Sequence, residues 1–242
     1  TGCALLNDGN ITCWGFNYFG QLGNGATTGN IDTPPALPIA LPGNATATAI
    51  TAGSFHTCAL LNDGNITCWG YDGTGQLGNG AGNVDIAAPP AAITLPNGAT
   101  TTAITASGAK TCALLNDGNI TCWGSDQKGQ LGNGAATGNI DTPPAPITLP
   151  NSATATAIAA GTSHTCALLN NGNITCWGDD YYGQLGNGPG NDPIDTPPDP
   201  ITLRNGATAT AIAAGEYHTC ALLNDGNITC WGYDGNGQLG NG

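Results

Sequence analysis

The chain has 242 residues, of which 3 are Lys or Arg and 16 are Asp or Glu, so its formal net charge is −13. So few cations exclude binding to nucleic acid by phosphate neutralisation and docking on an anionic membrane surface, and no apolar run is long enough for membrane insertion. Gly accounts for 39 residues and charged residues for only 8%. This composition disfavours helix and leaves Asn, Thr, Gly and Ala to cover the surface.

A repeated phrase, Cys-Ala-Leu-Leu-Asn-(Asp/Asn)-Gly-Asn-Ile-Thr-Cys-Trp-Gly, opens the chain. Its five copies start at Cys3, Cys58, Cys112, Cys166 and Cys220. Each copy is followed by Gly-Gln-Leu-Gly-Asn-Gly, and the first four continue with a Pro-rich passage and a segment resembling Ala-Thr-Ala-Ile-Ala-Ala. We divide the chain into a half repeat, 1–25, and four repeats, 26–80, 81–134, 135–188 and 189–242.

The Cys phrase predicts a β-hairpin. The segment from Leu6 to Asn10 fits a three-residue loop, a type I turn followed by Gly9 in the left-handed region. In that register Cys3 faces Cys13 as a non-hydrogen-bonded pair, where two strands approach most closely. The spacing therefore predicts five disulfides, Cys3–Cys13, Cys58–Cys68, Cys112–Cys122, Cys166–Cys176 and Cys220–Cys230. Zinc or redox sites would need tighter spacing, and disulfides indicate an oxidising compartment, so we expect an extracellular protein.

One whole repeat predicts four short strands. In the unit around the fourth hairpin, three of them are residues 156–160, 165–169 and 173–178. The fourth lies near residues 146–149 of the preceding Pro-rich linker, because prolines suit an edge strand. A period near 54 without a helix matches a propeller blade. The fold class is all-β, a β-propeller-type array of four-stranded blades with one disulfide hairpin each, and five hairpins against four linkers make the array open or incomplete.

The combination of Trp-Gly, Gly-Gln-Leu-Gly, Pro, Ile-Ala-Ala-Gly and His-Thr resembles the regulator-of-chromosome-condensation repeat, and the Cys phrase resembles secreted bacterial versions of it. The resemblance covers the whole chain and implies a β-propeller, usually of seven blades. It also implies two activities: nucleotide exchange on a nuclear small GTPase with chromatin binding, and protein inhibition as in the β-lactamase inhibitor proteins of this fold. The acidity and the disulfides argue against the first. The segment Ser125 to Lys128 lacks the aromatic anchors that the second needs.

Nine aromatic residues lie outside the repeated phrase, where the repeats differ most. They are Phe16, Tyr18, Phe19, Phe55, Tyr71, Tyr181, Tyr182, Tyr217 and Tyr233. Variable loops on a repeated scaffold commonly carry binding sites, so this set is a candidate binding surface for a protein or a glycan. The alternative, that the rings only cap the blade ends, has equal weight. The five Trp share one repeat position and are expected to pack between blades.

Other conspicuous residues have structural explanations. His56, His164 and His218 share one repeat position, which Lys110 takes in the third hairpin, so we expect structural histidines bonded to backbone rather than a metal or cofactor site. The densest acidic spots, at residues 179–180 and 192–195, are too sparse to predict a calcium site. Six Asn-x-Thr sequons are possible glycosylation sites, and turn chemistry explains them equally: Asn10, Asn44, Asn65, Asn119, Asn173 and Asn227.

No Ser–His–Asp set, catalytic Cys or carboxylate pair can be assembled, so we expect no enzyme, no catalytic residues, no metal and no cofactor. Near-identical repeats with one disulfide each predict a durable extracellular structural or adhesive protein. It would be a segment of a filament or surface array that associates with itself or continues the same repeat. The alternative is a secreted protein- or glycan-binding propeller module, inhibitor-like, that uses the aromatic loops.

Overall fold

The computed structural model describes residues 1–27, 29–80, 82, 84–134, 138–188 and 192–240. Within these ranges the strands are β1 (Gly2–Leu5), β2 (Ile11–Trp14), β3 (Ala47–Ala52), β4 (His56–Leu61), β5 (Ile66–Gly70), β6 (Thr101–Ser107), β7 (Lys110–Leu115), β8 (Ile120–Ser125), β9 (Asn139–Ile140), β10 (Ala155–Ala160), β11 (His164–Leu169), β12 (Ile174–Gly178), β13 (Ala209–Ala214), β14 (His218–Leu223) and β15 (Ile228–Gly232). Short 3-10 turns occur at Pro42–Asn44, Pro96–Gly98, Pro150–Ser152 and Arg204–Gly206. None of the helices in these ranges is long and apolar enough to cross a membrane.

The strands form five small antiparallel sheets, which confirms the all-β, open array. We number them as blades in chain order: blade one is β1–β2, blade two β3–β5, blade three β6–β9, blade four β10–β12 and blade five β13–β15. Strands β3, β6, β10 and β13 are successive neighbours from blade to blade. The predicted repeat boundaries at residues 81, 135, 189 and 242 lie outside the described residues.

The Cys hairpins have the predicted register. In blade one Cys3 pairs with Cys13, the Leu6 amide donates to the Asn10 oxygen over 2.8 Å, and Gly9 has a φ of +81°. All five predicted disulfides are formed, with Cα atoms 4.1 Å apart in each. The hairpin turn therefore places the two cysteines of every blade directly opposite each other.

The outermost strand of a blade comes from a different linker than predicted: it comes from the linker that follows the blade, not from the one that precedes it. Residues 146–149 do not pair with the following blade, because the Ile147 amide donates to the Ile120 oxygen of β8 over 2.7 Å. Ile201 contacts Ile174 in the same way over 2.9 Å. Among the described residues only blade three has a regular outer strand, β9, and isolated bridges take its place in blades one, two and four. Prolines lack the amide that a continuous ladder requires, so each blade takes only a broken outer edge from the linker that follows it.

The blades stack face to face, because alternate residues of a strand point to opposite sides. In β4, Cys58 and Leu60 pack with Trp123 of blade three, whereas Leu61 packs with Ile11 of blade one. The middle strands of blades two, three and four are buried on both sides, which explains their continuous apolar sequence. The inner Trp residues are fully buried at these contacts, which confirms the predicted packing between blades: Trp69, Trp123 and Trp177.

The Gly-Gln-Leu-Gly run joins consecutive blades. The main-chain oxygen of Gln76 accepts hydrogen bonds from Thr111 Oγ1 over 2.9 Å and from Trp123 Nε1 over 3.0 Å. Gly78 has a φ of +72°, and a Cβ there would lie 2.5 Å from Trp123 Nε1. The motif therefore provides an acceptor and a close backbone approach for the next blade's indole.

Candidate binding surface

The nine aromatic residues lie in two kinds of loop at the same end of the blades. One loop joins the first and second strands of a blade and carries Phe55 or Tyr217. The other loop follows the Cys hairpin, that is, β2 in blade one and the third strand in blades two to five. Main-chain hydrogen bonds of 2.9 Å tie the two loops together, from the Tyr71 amide to the Phe55 oxygen and from the Tyr233 amide to the Tyr217 oxygen. The sequence left open whether both loop sets share one face, and these bonds place them on one.

The rings form two separate groups at two blade junctions. The first ring cluster lies between blades one and two and consists of Phe16, Tyr18, Phe19, Phe55 and Tyr71. The second ring cluster lies between blades four and five and consists of Tyr181, Tyr182, Tyr217 and Tyr233.

Each cluster contains the same triad of rings. The centroid of Phe19 lies 5.3 Å from that of Phe55 in the first cluster, and Tyr182 lies 5.3 Å from Tyr217 in the second. The third ring of the triad is Tyr71 in the first cluster, 4.9 Å from Phe19, and Tyr233 in the second, 4.8 Å from Tyr182. Such tilted contacts suit the quadrupoles of neighbouring rings, so each triad is a rigid apolar unit.

The junction between blades two and three closes without aromatic rings. Thr74, Ala109 and Ser125 occupy the three triad positions there, and the Thr74 hydroxyl reaches the Ala109 oxygen over 3.4 Å. The scaffold thus does not need rings to join its blades. The outermost rings are largely accessible, since Tyr18 is 66% and Tyr181 65% exposed.

An Asp or Asn side chain fixes the loop that follows the Cys hairpin of every blade, with or without rings, and it is buried in blades one to four. Asp72 Oδ1 accepts a hydrogen bond from the Leu77 amide over 2.9 Å, and Asp126 does the same for Leu131. Burial raises the pKa of Asp72 to about 6. Sequence reasoning missed this role, although its signal is visible: an Asp or Asn stands two positions after Trp-Gly in every repeat.

Between the two clusters lies a cavity of about 470 Å³. Its lining includes Gly53, Ser54, Gly108, Thr162, Gly215 and Glu216. Main-chain bonds connect these loops across blades, from the Ser54 amide to the Gly108 oxygen over 2.9 Å and from the Thr162 amide to the Glu216 oxygen over 3.2 Å. Since Ser54 precedes Phe55 and Glu216 precedes Tyr217, the cavity borders both clusters.

The histidines connect neighbouring blades beneath this face. His56 Nε2 lies 2.9 Å from Thr111 Oγ1, and His164 Nε2 lies 2.9 Å from Thr219 Oγ1. The expectation of a backbone partner was wrong, because the partner is a hydroxyl of the next blade. Burial lowers the pKa of His56 to about 4 and that of His164 to about 3, so both rings are neutral near pH 7.

In blade three Lys110 replaces the histidine, and Ser107 replaces the glycine that stands three positions before it in blades two, four and five. Its Nζ donates to the main-chain oxygens of Gly161 and Thr162, and burial lowers its pKa to about 7. In blade two a Cβ on Gly53 would lie 2.2 Å from His56 Cε1. Blade three has Ser107 at the corresponding position, which is tolerated because no imidazole ring lies there.

Five of the six sequons lie in hairpin turns. Asn10 donates its main-chain amide and its Nδ2 to the Asp8 carboxylate, over 3.0 and 2.8 Å, and these bonds lower the pKa of Asp8. Thr67 Oγ1 donates to the Pro90 oxygen over 2.9 Å and so anchors the outer segment. Sequon asparagine and threonine thus both have structural roles, and glycan attachment stays a prediction for Asn10, Asn44, Asn65, Asn119, Asn173 and Asn227.

Within the described ranges no group of three or more His, Cys, Asp or Glu side chains could hold a metal ion. Asp180 Oδ1 instead accepts from the Leu185 amide over 2.9 Å and fixes its loop. Asp179 accepts from Gln184 Nε2 over 3.0 Å, and its Oδ1 lies 3.9 Å from Lys128 Nζ. These contacts make Asp180 a loop-fixing residue and leave Asp179 beside the second ring cluster.

Comparison with known proteins gives one consistent family. The family model of the RCC1-like domain matches residues 1–242. Among curated proteins, the ultraviolet-B receptor UVR8 of Arabidopsis thaliana is 30% identical over 230 residues, which are 95% of this chain and 50% of the receptor. The mitochondrial RCC1 domain-containing protein RUG3 of Arabidopsis thaliana is 29% identical over 98% of this chain and 53% of its own length. The chain therefore spans about half the length of these relatives.

Solved structures agree on the fold. Human WBSCR16 superposes with a TM-score of 0.83 at 22% identity, covering 96% of this chain and 59% of its own. Prp20p of Saccharomyces cerevisiae gives 0.79 at 27%, covering 96% of this chain and 55% of its own. The ectodomain of the Physcomitrella patens receptor kinase CR4 gives 0.58 at 24%, covering 97% and 50%.

Proposed function

The chain belongs to the RCC1-like domain family, and from this premise we propose that it is an extracellular, non-enzymatic propeller module that binds a partner protein through its two ring clusters. The observation that carries the proposal is the placement of the rings. They occupy two blade junctions on one face, whereas the junction between blades two and three closes with Thr74, Ala109 and Ser125. Exposed aromatic side chains that the fold does not need are typical of binding surfaces.

Three further observations support this proposal. Yeast RCC1 (Prp20) has been solved bound to Kap60, and its own structure is described with its binding to Gsp1p and histones, so a protein of this fold binds other proteins. Disulfides persist in oxidising compartments, and this chain has one in every blade. The ectodomain among the structural neighbours is a precedent for this fold outside the cell.

The test uses a variant that copies the ring-free junction. Phe19→Thr, Phe55→Ala, Tyr71→Ser, Tyr182→Thr, Tyr217→Ala and Tyr233→Ser place the residues of the second junction at both ring clusters. We expect peptides selected from a random displayed library on the wild-type chain to lose binding to this variant, while its thermal unfolding stays close to that of the wild type. Equal binding to both chains, or no selected peptide at all, would contradict the proposal. If the wild-type chain instead binds a glycan on an array and the variant does not, the partner is a glycan and not a protein.

A second candidate, a structural or adhesive array formed by self-association, is favoured by one apolar face. Ile228 is 72% and Leu222 40% exposed in blade five, whereas Ile174 is 0% and Leu168 5% exposed in blade four. Either a blade face of another copy or a further repeat of the same array would bury these side chains. Sedimentation over a range of concentrations tests the idea: the wild type should assemble and an Ile228→Asp variant should not. A wild-type chain that stays monomeric at all concentrations would exclude it.

A further inference from the structure

The two ring clusters have the same triad geometry but different chemistry. In the loop after the Cys hairpin, Phe16 of blade one corresponds to Asp179 of blade four. Each of them stands two positions before an exposed tyrosine, Tyr18 or Tyr181. In the loop before the second strand, Ser54 corresponds to Glu216. The first ring cluster contains three Phe and two Tyr, whereas the second contains four Tyr. At these two positions, carboxylates therefore accompany the second cluster and not the first.

The carboxylates lie close to the rings of the second cluster. The adjacent Glu216 carboxylate raises the pKa of the Tyr217 hydroxyl, and the charge of Asp179 raises it further. Glu216 is exposed at the rim of the central cavity. Electron-rich ring faces beside carboxylates form a surface of negative potential.

One cation of the chain already lies at the edge of this surface. The Lys128 ammonium is 3.9 Å from Asp179 Oδ1, and its side chain is 53% exposed. The side chain of Asp179 is itself only 13% exposed, but the ion pair is long and its lysine is exposed, so an incoming cation can displace the ammonium from Asp179. Because the chain carries only three Lys or Arg residues against a net charge of −13, cationic partners are attracted from a distance as well.

On the basis of the proposed function, we infer that the second ring cluster, with Glu216 and Asp179, is a subsite for an arginine or lysine side chain of the partner protein, and that the first ring cluster is its apolar counterpart. The guanidinium or ammonium group stacks on the tyrosine faces while the carboxylates neutralise its charge. Phe16 and Ser54 carry no charge at the corresponding positions of the first cluster. Its three phenylalanines suit an apolar side chain.

The test compares two synthetic peptides, Gly-Arg-Gly-Arg-Gly-Arg-Gly and the same peptide with citrulline, the neutral analogue of arginine. Binding is followed by NMR titration of the tyrosine ring signals. We expect the arginine peptide to shift the signals of the second cluster and the citrulline peptide to bind at least about fivefold more weakly. The double variant Glu216→Ser, Asp179→Phe, which copies the residues of the first cluster, should lose a similar factor.

Matched variants separate a local site from bulk attraction. Asp63→Asn with Asp117→Asn changes the net charge by the same amount at hairpin turns where Asn171 is already natural, and should leave arginine binding unchanged. Phe16→Asp with Ser54→Glu should create a second site and raise the stoichiometry from one to two. Lys128→Ala should strengthen binding by freeing Asp179.

Equal affinity for both peptides, no detectable arginine binding, or an equal loss in the Asp63 and Asp117 variant would overturn the inference. Its failure is distinguishable from failure of the proposed function. Suppose that the displayed peptides need the ring clusters, contain no basic residue and bind the Glu216→Ser variant normally. This result would contradict the cation subsite and still support the protein-binding surface.

Discussion

The indole Nε1 of Trp69 donates a hydrogen bond to the main-chain oxygen of Gln21, in the preceding blade, over 3.1 Å. The same oxygen accepts the Thr57 hydroxyl over 2.9 Å. A Cβ on Gly23 would lie 2.6 Å from this indole nitrogen. The Trp-Gly and Gly-Gln-Leu-Gly phrases are therefore the two halves of one contact between blades, which explains why they recur together.

The glycine backbone lies so close to the indole that a methyl group added there should lower the free energy of unfolding more than at another glycine. Gly78→Ala should destabilise the chain by about 2 kcal/mol more than Gly25→Ala, because both glycines have positive φ but only Gly78 faces an indole, that of Trp123. A Cβ on Gly25 meets no atom within 4 Å. Chemical denaturation followed by tryptophan fluorescence measures both. Equal destabilisation would mean that backbone conformation alone requires glycine at position 78.

The indole of blade four lacks this hydrogen bond although Gln130 precedes it at the corresponding position, which allows the contribution of the bond to be measured. Trp123 Nε1 donates to the Gln76 oxygen over 3.0 Å, whereas Trp177 Nε1 is buried without a hydrogen-bond partner. Trp123→Phe should therefore cost about 1 kcal/mol more of unfolding free energy than Trp177→Phe. Because both indoles are fully buried, the loss of apolar contact is similar in the two variants. A larger cost at Trp177 would contradict the assignment.

The paired change of Ser107 and Lys110 predicts non-additive substitutions. Lys110→His alone should destabilise, because the imidazole would meet the Ser107 side chain as His56 would meet a Cβ on Gly53. The double variant Ser107→Gly, Lys110→His should recover at least about 1 kcal/mol by joining the imidazole to the next blade. Thermal unfolding of the wild type, both single variants and the double variant measures the coupling. Additive effects would show that the two positions are independent.

Lys110 also predicts a pH dependence. Burial lowers its pKa from 10.5 to about 7, so above pH 7 the unfolded chain binds a proton that the folded chain releases. The free energy of unfolding should rise between about pH 7 and pH 9 by up to about 1.4 kcal/mol per pH unit. His56 and His164 are already neutral in this range. Lys110→Met should remove the rise, and a slope that persists in this variant would assign it to another group.

Accessibility predicts the order in which the disulfides are reduced. Cys220 and Cys230 are both partly exposed, whereas Cys58, Cys112 and Cys166 are 0% exposed. Limited reductant followed by thiol alkylation and peptide mass spectrometry should label Cys220 and Cys230 first. Each closed loop is short, so its removal should cost roughly 2–3 kcal/mol in the chain-entropy model. Simultaneous labelling of all ten cysteines would indicate that reduction requires global unfolding.

Local chemistry made part of this structure predictable. The turn from Leu6 to Asn10 determines the hairpin register, and that register alone places Cys3 opposite Cys13. The outer strand was assigned to the wrong blade because residues 146–149 are closer in sequence to the following hairpin, which begins at Cys166, than to the preceding one, which ends at Cys122. Only the hydrogen bond from Ile147 to Ile120 distinguishes the two arrangements.

The sequence by itself determined the repeat, the disulfides, the blade and the residues that vary between repeats, because all of these depend on contacts within about fifteen positions or on the period itself. It could not determine that Phe19 meets Phe55, or Tyr182 meets Tyr217, because those rings come from different blades. Their contact depends on how one blade stacks on the next, and that stacking is set by the indole of one blade against the Gly-Gln-Leu-Gly turn of another. The tertiary structure alone therefore decided that nine scattered aromatic residues form two equivalent clusters on one face.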